Sequence, residues 1–179
     1  MKGQKTESTA EQKERLRNLL ATSRDHDSRK AWAAKIIAEG TFAEFTDLLD
    51  GEHPIGMHFS WLIGDIVSDA PEEVFPSITY FFSRRNDFPF PGFKRSLAKM
   101  MYLAGIPEEI EGEALDEMFN WVMNPQEAIA VKHYSLKCLM EICKQHPDLR
   151  SELLLVMEGQ LDLHTPTYQK RVAKWMRSV

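Results

Sequence analysis

Only two cysteines, Cys138 and Cys143, occur among the 179 residues. They stand five residues apart in what reads as one helix. At about 100° per residue their side chains diverge by about 140°, which excludes an intrahelical disulfide. They read as small buried apolar groups, and nothing in the chain asks for an oxidising compartment. No apolar run reaches the ~18 residues of a membrane span, so no membrane partner is expected. Residues 1–15 are polar and charged, unlike the apolar segment of a secretory signal. A soluble cytoplasmic protein is the expectation. Convincing period-two alternation is missing, which argues against strands. No His-Glu-x-x-His, Cys-x-x-Cys or Cys–His zinc spacing occurs, nor a glycine-rich phosphate loop, nor Gly-x-Ser-x-Gly. No catalytic residue, metal ligand or cofactor is therefore expected.

One sign of charge is missing from a whole stretch. Between Ile106 and Val131 there is no lysine or arginine, while Glu108, Glu109, Glu111, Glu113, Asp116, Glu117 and Glu127 all fall there. Arg84, Arg85, Lys94, Arg95 and Lys99 instead cluster around a turn whose one acid is Asp87, and Lys170, Arg171, Lys174 and Arg177 follow the last acid, Asp162. The net charge of −5 counts against general nucleic-acid binding. The segregation nonetheless leaves room for a basic strip that meets an acidic or phosphate-bearing partner.

What the chain does have is helical periodicity with regular punctuation. Residues 1–7 read as a disordered lead-in, and residues 8–179 as a single domain. Ser8 with Glu11, and Thr41 with Glu44, have capping-box spacing. A helix is expected over 28–39 with Gly40 as its stop. Phe59, Leu62, Ile63, Ile66 and Val67 follow an i, i+3, i+4 pattern, as do Leu115, Met118, Phe119 and Val122, and Leu136, Leu139, Met140 and Cys143. Pro71, Pro107 and Pro147 each stand between two such stretches, 36 and 40 residues apart. Pro76 should bend its helix, because its ring removes an internal hydrogen bond. A unit of this length points to stacked helical hairpins.

The stretch from Pro107 to His146 resembles HEAT and armadillo-like repeats. It has a proline-punctuated first helix, an Asn124-Pro125 turn, and a second helix beginning Ala130-Val131-Lys132. Lys132 stands where the family usually has arginine, and Pro76 resembles the proline that bends the first helix of a HEAT unit. His58-Phe59-Ser60 and His133-Tyr134-Ser135 echo each other 75 residues apart. The resemblance covers roughly residues 28–179 and implies an all-α fold, a right-handed α-α superhelix of about five antiparallel hairpins.

It also implies a non-enzymatic interaction module whose second helices face a protein partner. Those helices carry His58, Lys94, Arg95, Lys132, His133, Lys170 and Arg171. A second set of candidate contacts is Arg84, Arg85, Phe88 and Phe90, from the Phe88-Pro89-Phe90-Pro91-Gly92-Phe93 turn. Its aromatics either fold over the core or stand out as interface anchors. Nucleic-acid binding by a basic concave face, as in HEAT-like DNA repair glycosylases, is the alternative, and self-association through Trp32 or Trp175 a third. His58 and Asp65, seven apart on one helix face, suggest a polar couple.

Overall fold

The structure, a computed structural model, describes residues 8–88, 90–161 and 164–179. The lead-in expected over residues 1–7 lies outside them. Ten α-helices and short 3-10 turns follow one another as five pairs among the described residues, with no strand. Helix α1 (Thr9–Thr22) pairs with α2 (His26–Glu39), and a 3-10 helix (Phe42–Asp50) with α3 (Ile55–Asp69). The next first arm is broken into α4 (Pro71–Val74), a 3-10 turn (Phe75–Ser77) and α5 (Ile78–Ser83), and its partner is α6 (Pro91–Ala104). Then come α7 (Glu111–Met123) with α8 (Ile129–Gln145), and α9 (Arg150–Gln160) with α10 (Pro166–Met176). The expected five hairpins are present.

Local chemistry sets the boundaries. Ser8 caps α1 in a complete capping box with Glu11. Asp25 accepts from the Ser28 amide and starts α2 at His26, two residues before the expected Ser28. Gly40 closes α2 at φ 62°, a left-handed geometry that glycine adopts without a Cβ clash. Pro76 interrupts the helix between α4 and α5, as its missing N–H requires. The capping box expected at Thr41 and Glu44 does not form: the segment winds as 3-10, and the buried Thr41 hydroxyl has no partner among the described residues.

The second arms stack as a layer, with α2 against α3, α3 against α6 and α6 against α8. The apolar stripes read from the sequence fill one continuous core between this layer and the first arms. Phe42, Phe45, Phe59, Phe81, Phe82 and Phe93 are its largest fully buried rings. Phe81 meets Phe42 and Phe93 edge-on, both at 6.1 Å, and each such ring removes roughly 1.5–3 kcal/mol worth of apolar surface from water. Gly56 lets α3 lie against the preceding 3-10 helix, because a Cβ there would collide with the Leu49 carbonyl oxygen. Both cysteines are free and buried. Burial pushes the Cys138 thiol up to about 12, so it stays protonated and inert.

Candidate functional site: a basic groove on the inner layer

The amphipathic pattern that buries one side of each second helix leaves the other side free, and those free sides meet. On α3 the apolar stripe is Phe59, Leu62, Ile63, Ile66 and Val67, which sends Trp61, Gly64 and Asp65 the opposite way. On α6, Phe93, Leu97, Met100 and Met101 go inward, while Arg95 and Lys99 share the free side, with the buried Ser96 beside them donating to the Ser60 carbonyl. The first turns of α8 add Ile129, Ala130, His133 and Tyr134, and α10 adds Arg171. With Arg29 of α2, these residues line a half-open groove of about 690 Å³, within the size range of ligand-binding clefts.

Its electrostatics are one-sided. Asp65 is the one carboxylate in the lining, and it accepts from Arg29 Nε at 2.6 Å, with Lys30 Nζ at 3.9 Å. Lys99 Nζ donates to the Gly64 carbonyl at 2.5 Å and to the Ser68 hydroxyl. Desolvation pushes its pKa down, and Arg95 and Lys30 add to that against the pull of Asp65 and Asp69. Arg171 Nη1 donates to His133 Nδ1 at 3.4 Å. Burial first, then Arg171 and Lys137, hold His133 below its ordinary range and favour the neutral ring. Arg95, Lys99 and Arg171 form no ion pair among the described residues.

Aromatic rings stand between the cations. Arg29 lies over Trp61 at 5.9 Å, and Trp61 stacks against His58 at 4.8 Å. His133 contacts Tyr134 and Trp175, both at 5.1 Å. Tyr134 approaches Tyr102 at 6.3 Å, and Lys137 covers Tyr102 at 4.5 Å.

Of the ten candidate contacts, the structure brings Arg95, His133 and Arg171 together in the groove. Lys170 lies exposed beside Arg171 on α10. Lys94 is drawn aside by Glu127, 3.3 Å away. Lys132 is not a surface contact: it is fully buried and donates to Gln160 Oε1 at 2.9 Å and His164 Nε2 at 3.0 Å. A residue one position before His133 points about 100° away around the helix, and that sends it into the core. Arg84 is held by Asp50 and Asp87, and Arg85 by Glu113 and Glu117. Phe88 and Phe90 are half-buried, with Phe88 packed edge-on against Phe93 at 4.7 Å, so the turn folds over the core.

The His58–Asp65 couple does not form either. His58 is buried, and its Nδ1 donates to the Leu20 carbonyl at 2.6 Å, while Asp65 goes to Arg29. Trp61, Lys99, Tyr134 and Arg29 were not anticipated as groove residues. The free side opposite each apolar stripe carried that signal: Trp61 and Asp65 at i and i+4 on α3, and Arg95 and Lys99 at the same spacing on α6.

A chain of antiparallel helical pairs with a continuous second-helix layer defines the class of α-helical hairpin solenoids. A HEAT repeat domain model matches residues 17–168, and the chain belongs to that family. No curated protein and no solved structure matches it.

Proposed function

We propose that this HEAT-repeat chain is a non-catalytic scaffold that holds a protein partner by an acidic segment in the inner groove. One observation carries the reading. In a molecule of net charge −5, three cations that form no ion pair among the described residues share one aromatic-lined groove. Complementary charge then steers encounter, and ring faces supply contact area at low entropic cost. The family supports a protein-interaction role in general terms.

Charge reversal tests it. Partners captured by the wild-type chain at low salt should be lost on Arg95→Glu with Arg171→Glu, and kept on Lys144→Glu, which lies outside the groove lining. Crosslinks from the groove should map to Asp/Glu-rich segments of the partner. Capture unaffected by the double reversal sinks the proposal.

A second reading has its own observation: Trp61 and Tyr134 interleave with Arg95, Lys99 and Arg171, the mixture that stacks bases and tracks phosphates in single-strand binders. Salt-dependent binding of a single-stranded oligonucleotide, abolished by the same reversal, would favour it.

A further inference from the structure

The cations of this protein divide into those already neutralised and those left over, and the division has a shape. Towards α5 and the turn after it, Arg84 and Arg85 are each held by two carboxylates. Lys94 meets Glu127. Arg29 and Lys30 meet Asp65 and Asp69. What remains in the groove is concentrated at its α6–α10 side. Arg95 and Lys99 stand one helical turn apart on α6, an i, i+4 like-charge pair that disfavours the helix. Arg171 faces them from α10 across the same groove. Among the described residues its polar contact is a long one, 3.4 Å to the neutral acceptor His133.

Three cations with no ion pair among the described residues, around one hollow, outnumber what a single carboxylate needs. They suit a group with about two negative charges and three acceptor oxygens. The ion-paired arginines and lysines on either side interrupt the run of free charge that a nucleic-acid backbone follows.

We propose that the α6–α10 side of the groove is a phosphate subsite, where Arg95, Lys99 and Arg171 receive a phosphorylated side chain of the partner. The inference rests on the groove being the partner site and adds what the partner must carry. Trp61 and Tyr134 flank the subsite and would pack against the residues on either side of the phosphate. Lys99 is already oriented by Gly64 and Ser68, so it enters as a fixed charge, while the two guanidiniums supply the fork geometry. A dianion beside Arg171 also offsets the cationic field on His133, so the His133 imidazole should titrate at higher pH when the subsite is filled.

The experiment uses the full chain and three probes: a degenerate phosphoserine/phosphothreonine peptide library, the same library after phosphatase treatment, and a single-stranded oligodeoxynucleotide. The phosphorylated library should bind about tenfold or more tightly than the treated one, the difference that one strong charge-assisted contact supplies. Arg95→Gln and Arg171→Gln should each erase most of that difference while keeping the wild-type circular dichroism and Tm. Histidine NMR should show the His133 resonance titrating higher with the phosphorylated library only. Equal binding of treated and untreated libraries overturns the phosphate subsite and leaves the acidic-segment reading standing. Binding of the oligonucleotide alone, or of no probe, overturns both.

Discussion

Two regions of this molecule have nearly the same composition and opposite chemistry. The turn after α5 joins Arg84 and Arg85 to Phe88, Phe90 and Phe93. The groove joins Arg95, Lys99 and Arg171 to Trp61 and Tyr134. In the first, every cation has an acid. Arg84 bonds both Asp50 oxygens, at 2.6 and 2.9 Å, then Asp87 at 3.0 Å and the Tyr80 hydroxyl at 2.6 Å, and lies over the Phe88 ring at 4.9 Å. Arg85 sits 4.2 Å above Phe82 and reaches Glu113 and Glu117 on α7. In the groove the one acid is spent on Arg29. The acid block on α7 that neutralises Arg85 never reaches the opposite side of α6. Counting charges in a sequence measures supply, and availability depends on which carboxylates the packing delivers.

The comparison breaks most visibly at its hydrophobic anchor. Phe93 is fully buried and joins Phe81 to Phe88, so the aromatic turn is part of the core. Phe93→Ala should destabilise by about 3–5 kcal/mol in urea unfolding. A loss under 1 kcal/mol would show that the turn is detachable.

Next is Arg84. Arg84→Ala should lower stability by about 1–2 kcal/mol, since it removes a two-pronged carboxylate contact and the packing of its stem, discounted for partial exposure. The same bond gives a pH signature. The Arg84 hydrogen bond holds the Asp50 carboxyl below its ordinary value. That contribution is present above about pH 3.9, the unfolded value, and fades as pH falls through the lower folded one. A wild-type minus variant stability difference that stays flat from pH 6 to pH 2.5 would contradict the pairing.

Smallest is the effect of Arg95→Gln on folding. A cation with no ion-pair partner among the described residues, beside Lys99 of like charge, should change stability by no more than about 0.5 kcal/mol in either direction. A loss above 1 kcal/mol would mean that Arg95 is structural, like Arg84, and the contrast between the regions would collapse.

Much of the fold was legible beforehand, because helical periodicity and its punctuation are local properties. The Ser8–Glu11 box, the stop at Gly40 and the break at Pro76 each follow from atoms within a few residues of one another. The groove was legible only in fragments. Arg95, His133 and Arg171 could be placed on second helices, but Lys132, adjacent to His133, could not be told from a surface lysine. Its burial depends on Gln160 and His164, 28 and 32 residues away. That buried cluster has the sign of an acid-sensitive contact. Burial first and Lys132 next hold His164 below its usual range, so its neutral form supports the folded state above about pH 6.5, and that support is lost as pH falls through the folded value.

The sequence by itself determined the helices, their order and their pairing. Each of these rests on turn chemistry and on a 3.6-residue apolar stripe that any window of the chain displays. The tertiary structure alone decided which cations are free. An ion pair between the turn after α5 and α7, or between α2 and α3, joins residues 28 to 39 positions apart, and only stacking brings them within reach. Arg84, beside Arg85, and Arg95, beside Lys94, therefore end as a strut in one region and an open charge in the other.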